Sequence, residues 1–252
     1  MINRQVVKQV FSEYVENYNS KDEKIKLKID HTYRVSELCE QIAISNSLNE
    51  EDVDIAWLTG MLHDIGRFEQ IRRFGTFDDQ KSVDHAELGI KILFDEGHIR
   101  DYVSEDIYDN EVYKAIKYHS SFELPKDLTK REQIFSNILR DADKIDILKV
   151  NIDTPTEQIY NVTTEELKNA QITPEVMEQF RSHNTILKSL RKTPVDHICG
   201  HIALVFGLYY PVSKEIVRKQ GYLDKLLGFD TDNSKTKEQF RELKTIMTTY
   251  LE

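Results

Sequence analysis

The sequence predicts an all-α protein. Apolar residues recur at intervals of three and four along nearly the whole chain, and no stretch alternates convincingly between apolar and polar residues. Helix-start signals also recur, as in Thr173-Pro174-Glu175 and Thr193-Pro194-Val195-Asp196, where Pro takes the first helical position.

The elements follow in order. Val6, Val7, Val10, Phe11, Tyr14, Val15 and Tyr18 mark a first helix. Ile25, Leu27, Ile29, Val35, Leu38, Cys39, Ile42 and Ala43 mark a second, which runs through His31. Glu50 to Asp54 supply an acidic first turn, from which Val53, Ala56, Trp57, Gly60 and Met61 carry a third helix towards His63. Ile65-Gly66 is expected to stop it. Residues 67–83 lack clean periodicity and hold Gly75, Thr76, Asp78 and Asp79, so a loop is expected there. Helical spacing returns over residues 85–94, 111–119 and, in one long element, 131–150. Beyond it one helix starts at Pro174, with Val176, Met177 and Phe180 inside. Another runs from Pro194 through Ile198, Ile202, Val205, Phe206 and Tyr209, and Pro211 is expected to end it. A polar linker over 230–236 precedes a last amphipathic helix over 237–251. With no Pro/Gly/Ser-rich hinge and no repeat, the expectation is one domain over residues 1–252. Its core is residues 20–150, and a helical extension over 151–252 covers the site.

Composition limits the function. The chain has 252 residues, 39% hydrophobic and 31% charged, which is ample for a core and excludes disordered and collagen-like classes. A formal net charge of -10 makes duplex nucleic acid an unsuitable partner, while a metal and a few local cations can still admit a small phosphorylated ligand. Cys39 and Cys199 sit among apolar residues and read as reduced core thiols. The N-terminal residues lack an apolar signal-peptide core, and no apolar run approaches the ~20 residues of a membrane span. A cytoplasmic enzyme-sized domain is therefore expected.

Six residues carry candidate chemistry: His31, the adjacent His63 and Asp64, His85, His119 and Asp143. Each falls on or at the end of a predicted helix, and a bundle can project such groups into one central site. Imidazole with carboxylate suits Mn, Fe, Zn, Co or Ni, and carboxylate also suits Mg. Taken singly, each His is more often a hydrogen-bonded helix residue than a ligand. Neighbouring helical residues lie about 100° apart, so His63 and Asp64 reach one ion only if a helix ends there.

The set resembles the HD superfamily of metal-dependent phosphohydrolases, with its H…HD…D pattern. It is matched at His31-Thr32-Tyr33-Arg34-Val35, Leu62-His63-Asp64-Ile65-Gly66 and Arg140-Asp141-Ala142-Asp143-Lys144-Ile145-Asp146, over roughly residues 20–150. The resemblance implies an all-α helical bundle with one or two divalent metals. The first would be held by His31, His63, Asp64 and Asp143. In the dinuclear branch, Asp64 would bridge to a second held by His85 and His119, which otherwise stand behind the ligands. His63-Asp64-Ile65-Gly66-Arg67 is also similar to the His-Asp-Ile-Gly-Lys string of cyclic-dinucleotide phosphodiesterases, where the basic residue contacts phosphate. Arg67 keeps that charge. Ser120 follows His119 and no Gly-Tyr-Pro string comes after it, so the cyclic-di-GMP branch is not supported.

The implied activity is hydrolysis of a small phosphorylated substrate, nucleotides included, by a metal-activated water. Asp64 positions the nucleophile, and Arg67 and Lys144 face the phosphoryl oxygens. The alternatives are a di-iron oxygenase using the same six ligands and a non-catalytic nucleotide-binding module. Further expectations are local. Tyr33, Tyr118 and Phe122 are candidates to stack a base, though such aromatics are more often core. Glu69, Gln70, Arg72 and Arg73 form either a charged loop or a pocket rim. Asp141 and Asp146 are expected to cap or to support the ligands. His197 and His201, one turn apart, favour a structural role, and His98 and His183 are expected at the surface.

Overall fold

Short polar side chains at the right positions start the first helices. Asn3, Asp22 and Asn49 each accept a hydrogen bond from amides that a helix leaves unpaired at its start. They open α1 (Arg4–Glu16), α2 (Glu23–Ser45) and α3 (Glu50–Leu62). The computed structural model describes residues 2–19, 21–155 and 162–252. Among these there is no strand, and the protein is all-α. No helix is long and apolar enough to cross a membrane among the described residues.

The chain divides into two compact units, Met1–Asp143 and Lys144–Glu252. In the first unit α3 is followed by α4 (Ile65–Phe74), α5 (His85–Ile90), α6 (Ile99–Tyr102), α7 (Asp109–Tyr118) and the start of α8 (Lys130–Asp153). α2 packs along α3, and Phe11, Val35, Ile42, Ile55, Leu58, Met61 and Phe68 are completely buried. Two glycines permit the tight approaches around the site. A Cβ on Gly60 would stand 2.5 Å from Ser36 Cα, so only Gly lets α3 lie this close to α2. A Cβ on Gly66 would collide with the His85 carbonyl and lie 2.6 Å from the Gly89 amide, so Gly66 sets the contact of α4 with α5.

Three expectations are corrected here. Ile65-Gly66 does not stop a helix: α3 ends at Leu62, and Ile65 already begins α4. Residues 67–83 are not one loop, because α4 runs to Phe74 and a 3-10 turn covers Asp79–Lys81. Pro211 does not merely end a helix: the preceding one stops at Ile202, and Pro211 opens a new one, where its missing N–H costs nothing.

The second unit holds the end of α8, then α9 (Thr164–Asn169), α10 (Pro174–Arg181), α11 (Pro194–Ile202), α12 (Pro211–Gln220), α13 (Tyr222–Leu227) and α14 (Ser234–Leu251). Buried Asp196 organises much of it. It completes the capping box of α11 with Thr193 and accepts from the Thr173 and Lys192 amides, both at 2.9 Å. Phe180, Val195, Ile202, Leu243 and Met247 fill its core, and both cysteines of the protein are free and buried.

Candidate metal centre

The break between α3 and α4 solves the problem posed by the His-Asp doublet. His63 caps the C-terminus of α3, and Asp64 sits at the start of α4 with φ -106 and ψ 18. The non-helical step turns both side chains inward. His31 comes from the middle of α2, His85 from the first position of α5, His119 from the end of α7 and Asp143 from α8. All four imidazoles and Asp64 are at most 5% exposed.

The six residues form two groups that share Asp64. Ligand atoms of His31, His63 and Asp64 lie within 4.8 Å of one another, and so do those of Asp64, His85 and His119. Asp64 Oδ2 is 3.5 Å from His31 Nε2 and 3.4 Å from His63 Nε2, while its Oδ1 is 3.6 Å from His85 Nε2 and 3.9 Å from His119 Nε2. Asp143 joins the first group, with Oδ1 3.2 Å from His31 Nε2 and 4.0 Å from His63 Nε2.

Hydrogen bonds on the far side of the rings set their tautomers. His63 Nδ1 lies 2.7 Å from the Gly60 carbonyl, and His119 Nδ1 lies 2.7 Å from the Ile116 carbonyl. A carbonyl only accepts, so Nδ1–H donates and Nε2 keeps its lone pair for the cluster. His85 Nδ1 donates likewise to Asp79 Oδ2 at 2.9 Å. In consequence His85 Nε2 and His119 Nε2 face each other as two acceptors, 3.0 Å apart. Two lone pairs at that distance repel unless a cation stands between or beside them. This donor set therefore fits a divalent metal, as does the all-N/O chemistry of both groups.

Electrostatics hold the groups in the same states. Burial, then the neighbouring His85 and His63, push the His119 imidazolium down to about 3. Burial and the charge of Arg67 lower His85. Burial opposes ionisation of Asp64, but the charges of Lys28 and Arg67 hold it well below the usual carboxylate range. Asp143 is lowered against its burial, chiefly by its bond to His31. Neutral imidazole with ionised carboxylate is the pairing that metal binding requires.

Two residues not anticipated as parts of the site enter it. Lys28 places its ammonium 2.6 Å from Asp64 Oδ2. It lies one turn before His31 on α2, and that spacing was the signal for it. Asp79 orients His85 and also pairs with Arg67 at 2.8 Å; it lies in a segment without periodicity, and nothing in the sequence pointed to it. A third, Arg140, holds the backbone beyond α7. Its guanidinium donates to the Tyr118, Ser121 and Phe122 carbonyls and so fixes the segment that presents His119.

The other candidates fall as follows. Arg67 Nε is 3.6 Å from Asp64 Oδ1, but its Nη1 is engaged by Asp79, the Phe77 carbonyl and Gln70. Lys144 donates to the Gly207 carbonyl. Glu69 is buried and closed off by Arg72, Arg73 and Tyr18, while buried Gln70 ties down residues 79–83. Asp141 and Asp146 are buried in α8. Tyr33 packs edge-on against Phe11, Tyr118 lies between Lys114 and Lys117, and Phe122 is half exposed. His197 and His201 lie beside cationic Arg191, which with burial lowers both, a poor setting for a metal. His98 and His183 are exposed, and His183 stacks on Phe206.

Residues 29–149 match the family model described as HD domain. That stretch contains all six candidate ligands. No curated protein and no solved structure matches the chain.

Proposed function

We propose that this HD-superfamily protein is a metal-dependent phosphohydrolase acting on a small phosphomonoester, nucleotide or related diester. The observation that carries the reading is the charge around Asp64. Two triads of N and O ligands share this carboxylate, and two cations, Lys28 and Arg67, stand against it. Such a site collects anionic oxygen.

A divalent metal, when bound, supplies a Lewis acid that lowers the pKa of a coordinated water and neutralises phosphoryl charge. The protein's part is positional. Asp64, shared by both groups, would be the carboxylate that orients the attacking water in line with phosphorus. Arg67, fixed by Asp79 and Gln70, holds positive charge where phosphoryl oxygens gather charge. The phosphate contact expected of Lys144 belongs to the same proposal and requires its ammonium to leave the Gly207 carbonyl.

The test is a panel of phosphomonoesters, nucleotides and cyclic diesters assayed with Mn, Co, Ni, Fe, Zn or Mg under anaerobic conditions. Release of phosphate or nucleotide without oxygen, lost in Asp64→Asn, is expected. Turnover only with iron and dioxygen would establish the oxygenase instead. Tight nucleotide binding with no turnover under any metal would establish the binding module.

A further inference from the structure

Lys28 occupies a position that the centre itself does not explain. Its side chain is 17% exposed, and its ammonium lies 2.6 Å from Asp64 Oδ2. That oxygen is the one facing His31 and His63, so the ammonium is bonded to the atom through which the first triad would hold its ion. An ammonium and a divalent cation drawn to one carboxylate oxygen repel each other strongly at this burial.

We propose that Lys28 is an exchangeable cation. It neutralises Asp64 Oδ2 while the first position is metal-free and yields that oxygen when a divalent ion binds. Its ammonium then contacts an anionic oxygen of the ligand. The second half rests on the phosphohydrolase reading and the first half does not.

Three features support the exchange. A largely buried ammonium that gives up its carboxylate needs another anion, because leaving it unpaired is costly. Lys carries its charge on a flexible four-carbon stem with three rotatable donors, so it can turn without moving α2. The neighbouring Arg67 lacks that freedom, since its Nη1 is engaged by Asp79, Gln70 and the Phe77 carbonyl. Phe77 adds a common surface: its ring centroid is 5.4 Å from Lys28 Nζ and 5.7 Å from Arg67 Cζ. An ammonium turning away from Asp64 can therefore keep an aromatic face beside it.

The experiment uses the full chain stripped of metal, with Lys28→Met and Lys28→Arg. Mn2+ is titrated calorimetrically in a His119→Ala background, which isolates the first position. Inorganic phosphate is then titrated into Mn2+-saturated protein with His119 intact. Lys28→Met is expected to bind Mn2+ about tenfold more tightly, because the competing charge is gone. The same variant is expected to bind phosphate roughly ten- to a hundredfold more weakly, the worth of a charge-assisted hydrogen bond. Lys28→Arg should recover part of the phosphate affinity and keep the weaker Mn2+ binding. Unchanged or weaker Mn2+ binding by Lys28→Met overturns the exchange. Unchanged phosphate affinity, or a wild-type protein that binds Mn2+ but no phosphate, overturns the anion contact. A chain that binds no Mn2+ overturns both. Lys28→Gln replaces Lys28→Met should the latter fail to fold. Neither titration reads hydrolysis, so a protein without phosphatase activity leaves the Mn2+ result standing.

Discussion

The two triads that meet at Asp64 use the same residue types but are steadied by different parts of the chain. In the first, His63 leans on the Gly60 carbonyl of its own helix and His31 projects from the long helix α2, with Asp143 of α8 standing beside the triad as a fourth group. In the second, His119 also leans on its own helix, through the Ile116 carbonyl. His85, however, depends on the Asp79 side chain, and the backbone after His119 depends on Arg140. The first triad is thus fixed mainly by helices, and the second by side chains reaching across irregular segments. The second should therefore be the easier of the two to disturb from a distance.

Removing the shared residue should erase the contrast. Asp64→Asn is expected to lower metal content from two ions per chain to none after gel filtration, read by elemental analysis. His63→Ala and His119→Ala should each leave one ion. Should His119→Ala keep two, the second triad is not a binding site.

A narrower change should separate the triads. Asp79→Asn keeps the size of the side chain but removes the charge that orients His85. Loss of such a partner typically costs ten- to a hundredfold in metal affinity. The second ion should weaken by that factor while the first stays unchanged, as calorimetry with Mn2+ would show. Equal weakening of both would mean that the irregular segment supports the whole centre. Arg140→Met should act in the same direction through the His119 segment and lower stability by roughly 1.5–3 kcal/mol, the range for hydrogen bonds to a charged group. Thermal melting and a Mn2+ titration would check both effects.

The smallest effect concerns both triads and is read without metal. His119, down to about 3, and His85, also lowered, lie below the ordinary 6.5 in the folded chain, so as pH falls through 6.5 the unfolded chain takes up protons that the folded chain refuses. Their contribution to stability is complete above pH 6.5 and is lost as pH falls. Asp64 and Asp143, also lowered, add to the loss further into acid. The melting temperature of the chelated protein should fall steadily from pH 7 to pH 4. A rise over that range would mean that the imidazoles are charged in the folded state.

The clustering of the six candidate residues and the all-α class were legible because each of the six sits on a helix or at its end, where apolar spacing is regular. The segment after the doublet was not, and the reason lies in α4. There Glu69 and Gln70 face inward beside Ile65, Phe68 and Ile71 while Arg72 and Arg73 face out, so polar residues interrupt the apolar stripe on the buried side. The roles of Asp79 and Arg140 were invisible because they arise from contacts between distant residues. Lys28 was readable in principle, one turn before His31, but a lysine on a helix is ordinarily a solvated residue.

The positions of Arg140 and Asp143 on α8 make one stretch of helix serve both triads. Asp143 reaches the first with its carboxylate, and three residues earlier Arg140 grips the segment that carries His119. The helix acts as a gauge block: the offset between the two attachments is the rise and rotation of three residues, about 4.5 Å and 300°. Substitutions between them can leave that offset intact, but a change in length cannot. One residue inserted after Asp141 would turn one attachment by about 100° relative to the other about the axis and shift it by about 1.5 Å along it. Variation in this stretch should consequently be tolerated as replacement and not as insertion or deletion.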